Sequence, residues 1–172
     1  MKRYYRIAGF LMPLAVAAAA LLLVLYMRRP HGVDKTAKAF EKVYKDKLWG
    51  TNSAGTGYSG YGSTAQATLL WRTFLQEFMK ENNIKSVVDA GCGDWESTND
   101  TDWTGIDYKG YDIVDSVIQA DKAKYEKPNI HFFTANVVPA DLHPADLLIV
   151  KHVLQHLSNA EVEQLLAQAH KL

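Results

Sequence analysis

The chain predicts an α/β fold, a parallel sheet flanked by helices, preceded by one N-terminal transmembrane helix. Three observations carry this expectation. From Ile84 onward short β-branched runs alternate with helical stretches, and that alternation implies a parallel sheet covered by helices. The first of these runs ends on glycines, in "VVDAGCGDW". Ahead of them all stands an uncharged stretch, Ile7 to Met27.

That stretch, "IAGFLMPLAVAAAALLLVLYM", is long enough to cross a bilayer, which takes about 20 apolar residues. Lys2, Arg3 and Arg6 precede it, and Arg28 and Arg29 follow. A cleaved signal peptide is the rival reading, with "AVAAAA" as its cleavage site. The apolar run instead continues through Leu21–Tyr26 until it meets the arginines, which favours an uncleaved anchor. Pro13 is tolerated in such a helix. Arg28, Arg29, Lys35, Lys38, Lys42, Lys45 and Lys47 outnumber the cations ahead of the span. The positive-inside rule therefore puts the C-terminal domain in the cytoplasm. The expected organisation is a single-pass membrane anchor over 1–30; a linker, short helix and Gly-rich loop over 31–63; and a sheet domain over 64–172.

The elements follow in order. "RRPHGVDK" reads as an exposed linker, and "TAKAFEKVYKDKLW" sets Phe40, Val43 and Tyr44 on one helical face. After a glycine-rich loop, Ser63 or Thr64 caps what comes next. In "AQATLLWRTFLQEFMKENN", Leu70, Phe74, Leu75 and Phe78 recur at helical spacing, and Asn82–Asn83 stops the helix. "IKSVVDA", "YKGYDIV", "NIHFFTANVV" and "ADLLIV" are four strands, with "DSVIQADKAKYE" a helix between the second and third. "SNAEVEQLLAQAHKL" closes the sequence as a helix. Ser158 and Glu161 form its capping box, and Val162, Leu165, Leu166 and Ala169 its apolar face.

Composition narrows the function classes. Lysine plus arginine and aspartate plus glutamate both total 19, so no basic excess points to nucleic acid. Cys92 is the single cysteine, which rules out an intrachain disulfide. Of the six histidines only His152 and His156 have paired spacing, and with no third ligand in view no metal site is expected.

Two glycine stretches compete for a ligand. "GTGYSGYG" contains a literal G-x-G-x-x-G at Gly55, Gly57 and Gly60, but "DKLWGTNSA" before it is no strand. A phosphate-binding loop needs a strand before it and a helix after it. The stretch is either a flexible turn-rich loop or a lid, for which Tyr58 and Tyr61 would offer flat surface with a polar tip. "SVVDAGCGDW" has the strand, a carboxylate at its end (Asp89), and Gly91 and Gly93 in the turn. The third glycine of a dinucleotide fingerprint would fall at Glu96, whose charge disfavours a pyrophosphate. Asp112 ends the next strand, about 20 residues on, where a carboxylate accepts from ribose hydroxyls. A glycine turn without phosphate machinery plus a ribose-binding acid points to a nucleoside ligand lacking a pyrophosphate, such as S-adenosylmethionine.

Taken together, "VVDAGCGDW", "YKGYDIV" and "DLLIVKHVLQHLS", in this order and spacing, resemble the class I S-adenosylmethionine-dependent methyltransferases. Within these the chain is most similar to a bacterial and viral branch with "GCGDW" and "VLQHL" signatures, over roughly Phe40 to Leu172. The resemblance implies a Rossmann-like sheet and methyl transfer to an acceptor it does not identify. It implies that Asp89, Gly91 and Gly93 lie under the methionine part of the cofactor, that Asp112 holds the ribose, and that Asn136 lies near the adenine amine. Lys151 and His152 would end the fourth strand beside the transferable methyl, with His152 the better candidate for a general base. The branch usually has aspartate at that position, so the acceptor chemistry departs from its pattern.

Other residues have plainer readings. Cys92 is a small filler of a tight turn. Trp95 and Trp103 are core or lid aromatics, and His156 caps or packs. "ESTNDT", Glu96 to Thr101, offers no apolar residue for the helix that should follow the turn, so that helix is expected to be absent or frayed. The family sheet has seven strands and four are seen here. The sequence thus reads as the first four strands of a truncated methyltransferase, with the apolar fourth strand an exposed edge unless a partner or further segment covers it. The alternatives are a non-catalytic cofactor-binding or interaction module and a different nucleotide enzyme.

Overall fold

The computed structural model describes residues 33–52, 55–138 and 141–169. The chain divides into two units, Met1–Gly32 and Val33–Leu172, and the expected anchor lies outside the described residues. Among the described residues no helix is long and apolar enough to cross a membrane.

Four parallel strands form one sheet in the order β3-β2-β1-β4. They are β1 (Ser86–Ala90), β2 (Asp107–Asp112), β3 (Ile130–Thr134) and β4 (Leu147–Ile149). β1 is central, with Asp89 beside Gly110 of β2 on one side and Ile149 of β4 on the other. Among the described residues the fourth strand lies at one side of the sheet, with β1 its one neighbour. Its entry is pinned by Asp146, whose carboxylate accepts from the Lys85 and Ser86 amides and the Ser86 hydroxyl at 2.8–2.9 Å.

Both faces of the sheet are apolar, as a parallel sheet requires. On one face Val87, Tyr108 and Phe132 pack with Leu75 and Met79 of helix α2 (Leu69–Glu81) and Ile118 of helix α3 (Asp115–Tyr125). The other carries Val88, Ala90 and Tyr111 against Val137 and Leu142. Helix α1 (Val33–Lys45) precedes these elements, and α4 (Asn159–Ala169) follows a single 3-10 turn at Leu154–His156.

Where sequence and structure differ, packing explains it. In α2 the buried residues are Leu75 and Met79, while Leu70 is 83% and Phe74 56% exposed. The apolar stripe is wider than the face the sheet needs, so its Leu70 and Phe74 side is left over. In α4 Leu165 is buried but Leu166 is exposed; the helix meets the rest through a narrow contact, including Gln168 donating to the Val138 carbonyl. The α4 capping box forms as expected, with the Ser158 amide donating to Glu161 Oε2 at 2.8 Å. Asn82 and Asn83 end α2, Asn83 taking the left-handed conformation (φ 53°).

No helix follows the glycine turn. Residues 94–101 run as successive turns, and Trp95 takes the place of a helix's apolar face. It is 2% exposed and packs 5.2–5.3 Å, ring to ring, from Phe132 and Tyr108. Trp103 stacks beside it. Both tryptophans are core residues.

Candidate functional site

The ends of β1 and β2 open onto a cavity of about 400 Å³, within the range usual for small-molecule sites. The glycine turn forms its floor. Gly91 has φ +89°, and a Cβ there would stand 2.3 Å from Val153 Cγ2. Gly93 has φ +57°, and its Cβ would stand 2.3 Å from Ser59 Oγ. Both positions therefore need glycine for conformation and for space. The Gly91 and Cys92 amides both donate to the Tyr111 carbonyl, fastening the turn to β2.

Asp112 ends β2 at the cavity wall. Its Oδ2 accepts from the Gly93 amide at 3.1 Å and its Oδ1 from the Val114 amide at 3.0 Å. Burial raises its pKa, and those backbone donors oppose the rise. Each oxygen keeps a lone pair for a ligand hydroxyl. Asp89 lies deeper, 3% exposed, and accepts from the Tyr108 hydroxyl at 2.8 Å. Burial pushes its pKa up to about 6, against the Tyr108 hydrogen bond and the Lys151 charge. Asn136 lines the same wall and bonds to the Val138 amide at 3.1 Å. Burial holds the Cys92 thiol well above its usual pKa, so Cys92 fills space rather than reacting.

Lys151 and His152 follow the end of β4 and also line the cavity. The Lys151 ammonium donates to the Gly62 carbonyl at 3.1 Å and lies 3.3 Å from His152 Nδ1. An ammonium only donates, so this contact puts the lone pair on Nδ1 and the proton on Nε2. His152 is left-handed (φ 57°), and its pKa is lowered by the Lys151 charge and then by burial. It stays neutral at pH 7, but the nitrogen free of Lys151 is a donor. The general-base role expected of His152 is thus disfavoured in this arrangement. His156 packs on Phe40 and Trp49, with ring centroids 5.3 and 5.9 Å away.

All seven residues singled out from the sequence (Asp89, Gly91, Gly93, Asp112, Asn136, Lys151 and His152) line this one cavity. The sequence reading missed Ser59 and Asp94. The Ser59 hydroxyl donates to Asp94 Oδ1 at 2.8 Å and accepts from the Asp94 amide at 3.0 Å. The Ser59 amide reaches Asp94 Oδ2, and Tyr44 Oη lies 2.7 Å from Ser59 Oγ. These bonds tie the glycine-rich loop onto the turn, so that Ser59–Ser63 forms a wall of the cavity. Of the two readings of "GTGYSGYG", the lid fits this geometry. No pattern in the sequence pairs positions 59 and 94. The signal available was the aspartate after Gly93 with a serine inside a glycine loop.

Glu96 does not line the cavity, so its charge is not the argument against a pyrophosphate that the sequence suggested. The carboxylates that do line it, Asp89 and Asp112, suit ligand hydroxyls better than a polyanion. Residues 88–172 match the family model described as a methyltransferase domain. The match covers 85 of the 172 residues, just under half of the chain. The match supports S-adenosylmethionine as its cofactor. Among solved structures, the methyltransferase domain of bacterial CtHen1-C is 22% identical with a TM-score of 0.48, the alignment covering 55% of each chain. Human N-acetylserotonin methyltransferase, solved in complex with SAM, is 19% identical with a TM-score of 0.45. That alignment covers 64% of this chain and 36% of the human one. The chain thus spans about half of the first protein's length and about a third of the second's. No curated protein matches.

Proposed function

We propose that this protein is an S-adenosylmethionine-dependent methyltransferase whose cofactor occupies the cavity above Gly91–Gly93. The observation that carries the reading is Asp112. Its two oxygens are held by the Gly93 and Val114 amides while the cavity side remains open, a geometry suited to two ribose hydroxyls. Asn136 on the same wall would meet the base, and Asp89 would lie beneath the methionine part. Bound there, the cofactor supplies an electrophilic methyl group on a sulfonium.

The protein's own part is mainly proximity and orientation. Gly91 and Gly93 let the backbone approach the ligand. The Ser59–Asp94 bonds hold the glycine-rich loop over it, and Lys151, tethered to Gly62, closes the side where the acceptor enters. We further propose that Ile7–Met27 anchors the domain to a membrane with the domain on the cytoplasmic face; protease protection in sealed vesicles of known orientation tests that placement.

Ligand-induced stabilisation tests the cofactor reading. Millimolar S-adenosylhomocysteine should raise the melting temperature of the full chain, because a ligand that binds only the native state stabilises it by mass action. NAD at the same concentration should leave it unchanged. A rise with NAD and none with S-adenosylhomocysteine would reject the assignment.

A further inference from the structure

The cavity has two chemically different ends, and the second is unassigned. The end at Asp112 and Asn136 is polar. The other is walled by rings: Phe40 and Trp49 lie 6.0 Å apart, and His156 lies within 6 Å of both. Tyr44 meets Trp49 edge-on at 6.0 Å. Trp49 is 37% and Tyr61 69% exposed although both line the cavity, so flat apolar surface there faces the opening and not the core.

The positive charge at this end is the Lys151 ammonium. The carboxylates lining the cavity are Asp89 and Asp112, both at the strand ends, whereas the ring-walled end holds Lys151 with His152 and His156. Lys151 marks the junction. Asp89 acts on it electrostatically from the sheet side, and the Gly62 carbonyl holds it on the loop side. With one proton on Gly62 and one on His152 Nδ1, the ammonium has a third to offer. As shown above, His152 also presents a donor. Lys151 and His152 thus both offer a donor to a ligand oxygen at this end.

We propose that the ring-walled end is the acceptor subsite and takes a planar aromatic compound bearing an oxygen already ionised in solution, a carboxylate or an acidic phenolate. This rests on the methyltransferase reading. The aromatic ring lies against Trp49 and Phe40, where offset or edge contacts are favourable, and the anionic oxygen accepts from Lys151. A lone pair of that oxygen forms the O–CH3 bond as the methyl–sulfur bond breaks, its electron pair remaining on sulfur. No proton changes hands, so the step needs no base. The products are a methyl ester or ether and S-adenosylhomocysteine. A cationic amine acceptor would face Lys151 and the sulfonium together and is excluded by repulsion.

Equilibrium binding of three probes to the full chain, with S-adenosylhomocysteine present, tests the proposal. 2-Naphthoate should bind at least tenfold more tightly than 2-naphthylmethylammonium and than cyclohexanecarboxylate. Lys151→Met should weaken naphthoate about tenfold or more while S-adenosylhomocysteine still binds; Trp49→Ala should do the same. Equal binding of the three probes, or a preference for the ammonium, overturns the subsite while leaving the cofactor reading intact. Naphthoate binding without any binding of S-adenosylhomocysteine overturns the acceptor role together with the methyltransferase reading.

Discussion

Ser59 and Asp94, 35 residues apart, share three hydrogen bonds of 2.8–3.2 Å that fasten the glycine-rich loop to the cofactor turn. The pair makes one site from two glycine stretches that look like competitors in the sequence. Ser59→Ala removes a donor from the Asp94 carboxylate, an acceptor from its amide and the partner of the Tyr44 hydroxyl. The expected cost is about 1–2 kcal/mol of stability, with S-adenosylmethionine affinity reduced roughly tenfold. Hydrogen exchange should show faster opening of residues 60–63. Unchanged exchange there would mean that the loop is held by other contacts.

The glycine turn is sensitive on two counts. Gly91→Ala puts a methyl 2.3 Å from Val153 Cγ2 at φ +89°. A loss of about 2 kcal/mol or more is expected from the strain and the clash together. The double variant Gly91→Ala/Val153→Ala removes the clash and keeps the strain, so denaturant unfolding should show only part of the loss restored.

Asp121 gives a pH signature. It is 3% exposed, its Oδ2 has no hydrogen-bond partner among the described residues, and burial followed by the Asp94 and Asp112 charges pushes its pKa to about 8. The folded chain thus holds a proton that the unfolded chain releases between about pH 4 and 8. Stability falls as pH rises through that window. Asp121→Asn should stabilise the protein by on the order of 3 kcal/mol at pH 7, and the gain should vanish below about pH 4. A gain equal at pH 4 and pH 7 would contradict a buried proton on Asp121.

The buried Asp89 couples to Tyr108 in the same pH range. Tyr108→Phe takes away the hydroxyl that supports the carboxylate at 2.8 Å. The loss should be about 1–3 kcal/mol above pH 7 and shrink as pH falls through about 6, where Asp89 takes up a proton. Urea unfolding at pH 5 and pH 8 distinguishes this from a packing defect, whose cost would not change with pH.

Much of this arrangement was legible in the residues. Val87–Ala90 followed by Gly91 and Gly93 announces a strand and a turn. Asp112 is found by spacing, and the four strands follow from short runs of β-branched, aromatic and aliphatic residues. The lack of apolar residues over Glu96–Thr101 implies an absent or frayed helix, and the segment runs as turns. What stayed hidden depends on distance in sequence. Trp95 fills the place of the missing helix, and the Ser59–Asp94 latch joins segments that no local periodicity relates. The donor character of His152 comes from one contact with its neighbour Lys151. The surplus exposure of Leu70 and Phe74 is equally illegible, since a helix face shows its apolar width but not the width of its partner.

The central claim is that Asp112 and the Gly91–Gly93 turn hold S-adenosylmethionine, and calorimetric titration of the full chain beside its Asp112→Ala variant tests it most directly. Saturable one-to-one binding, weakened at least tenfold in a variant that keeps the parent's far-ultraviolet spectrum, is the predicted result. Binding of equal strength in both proteins, or none in the folded parent, would contradict it.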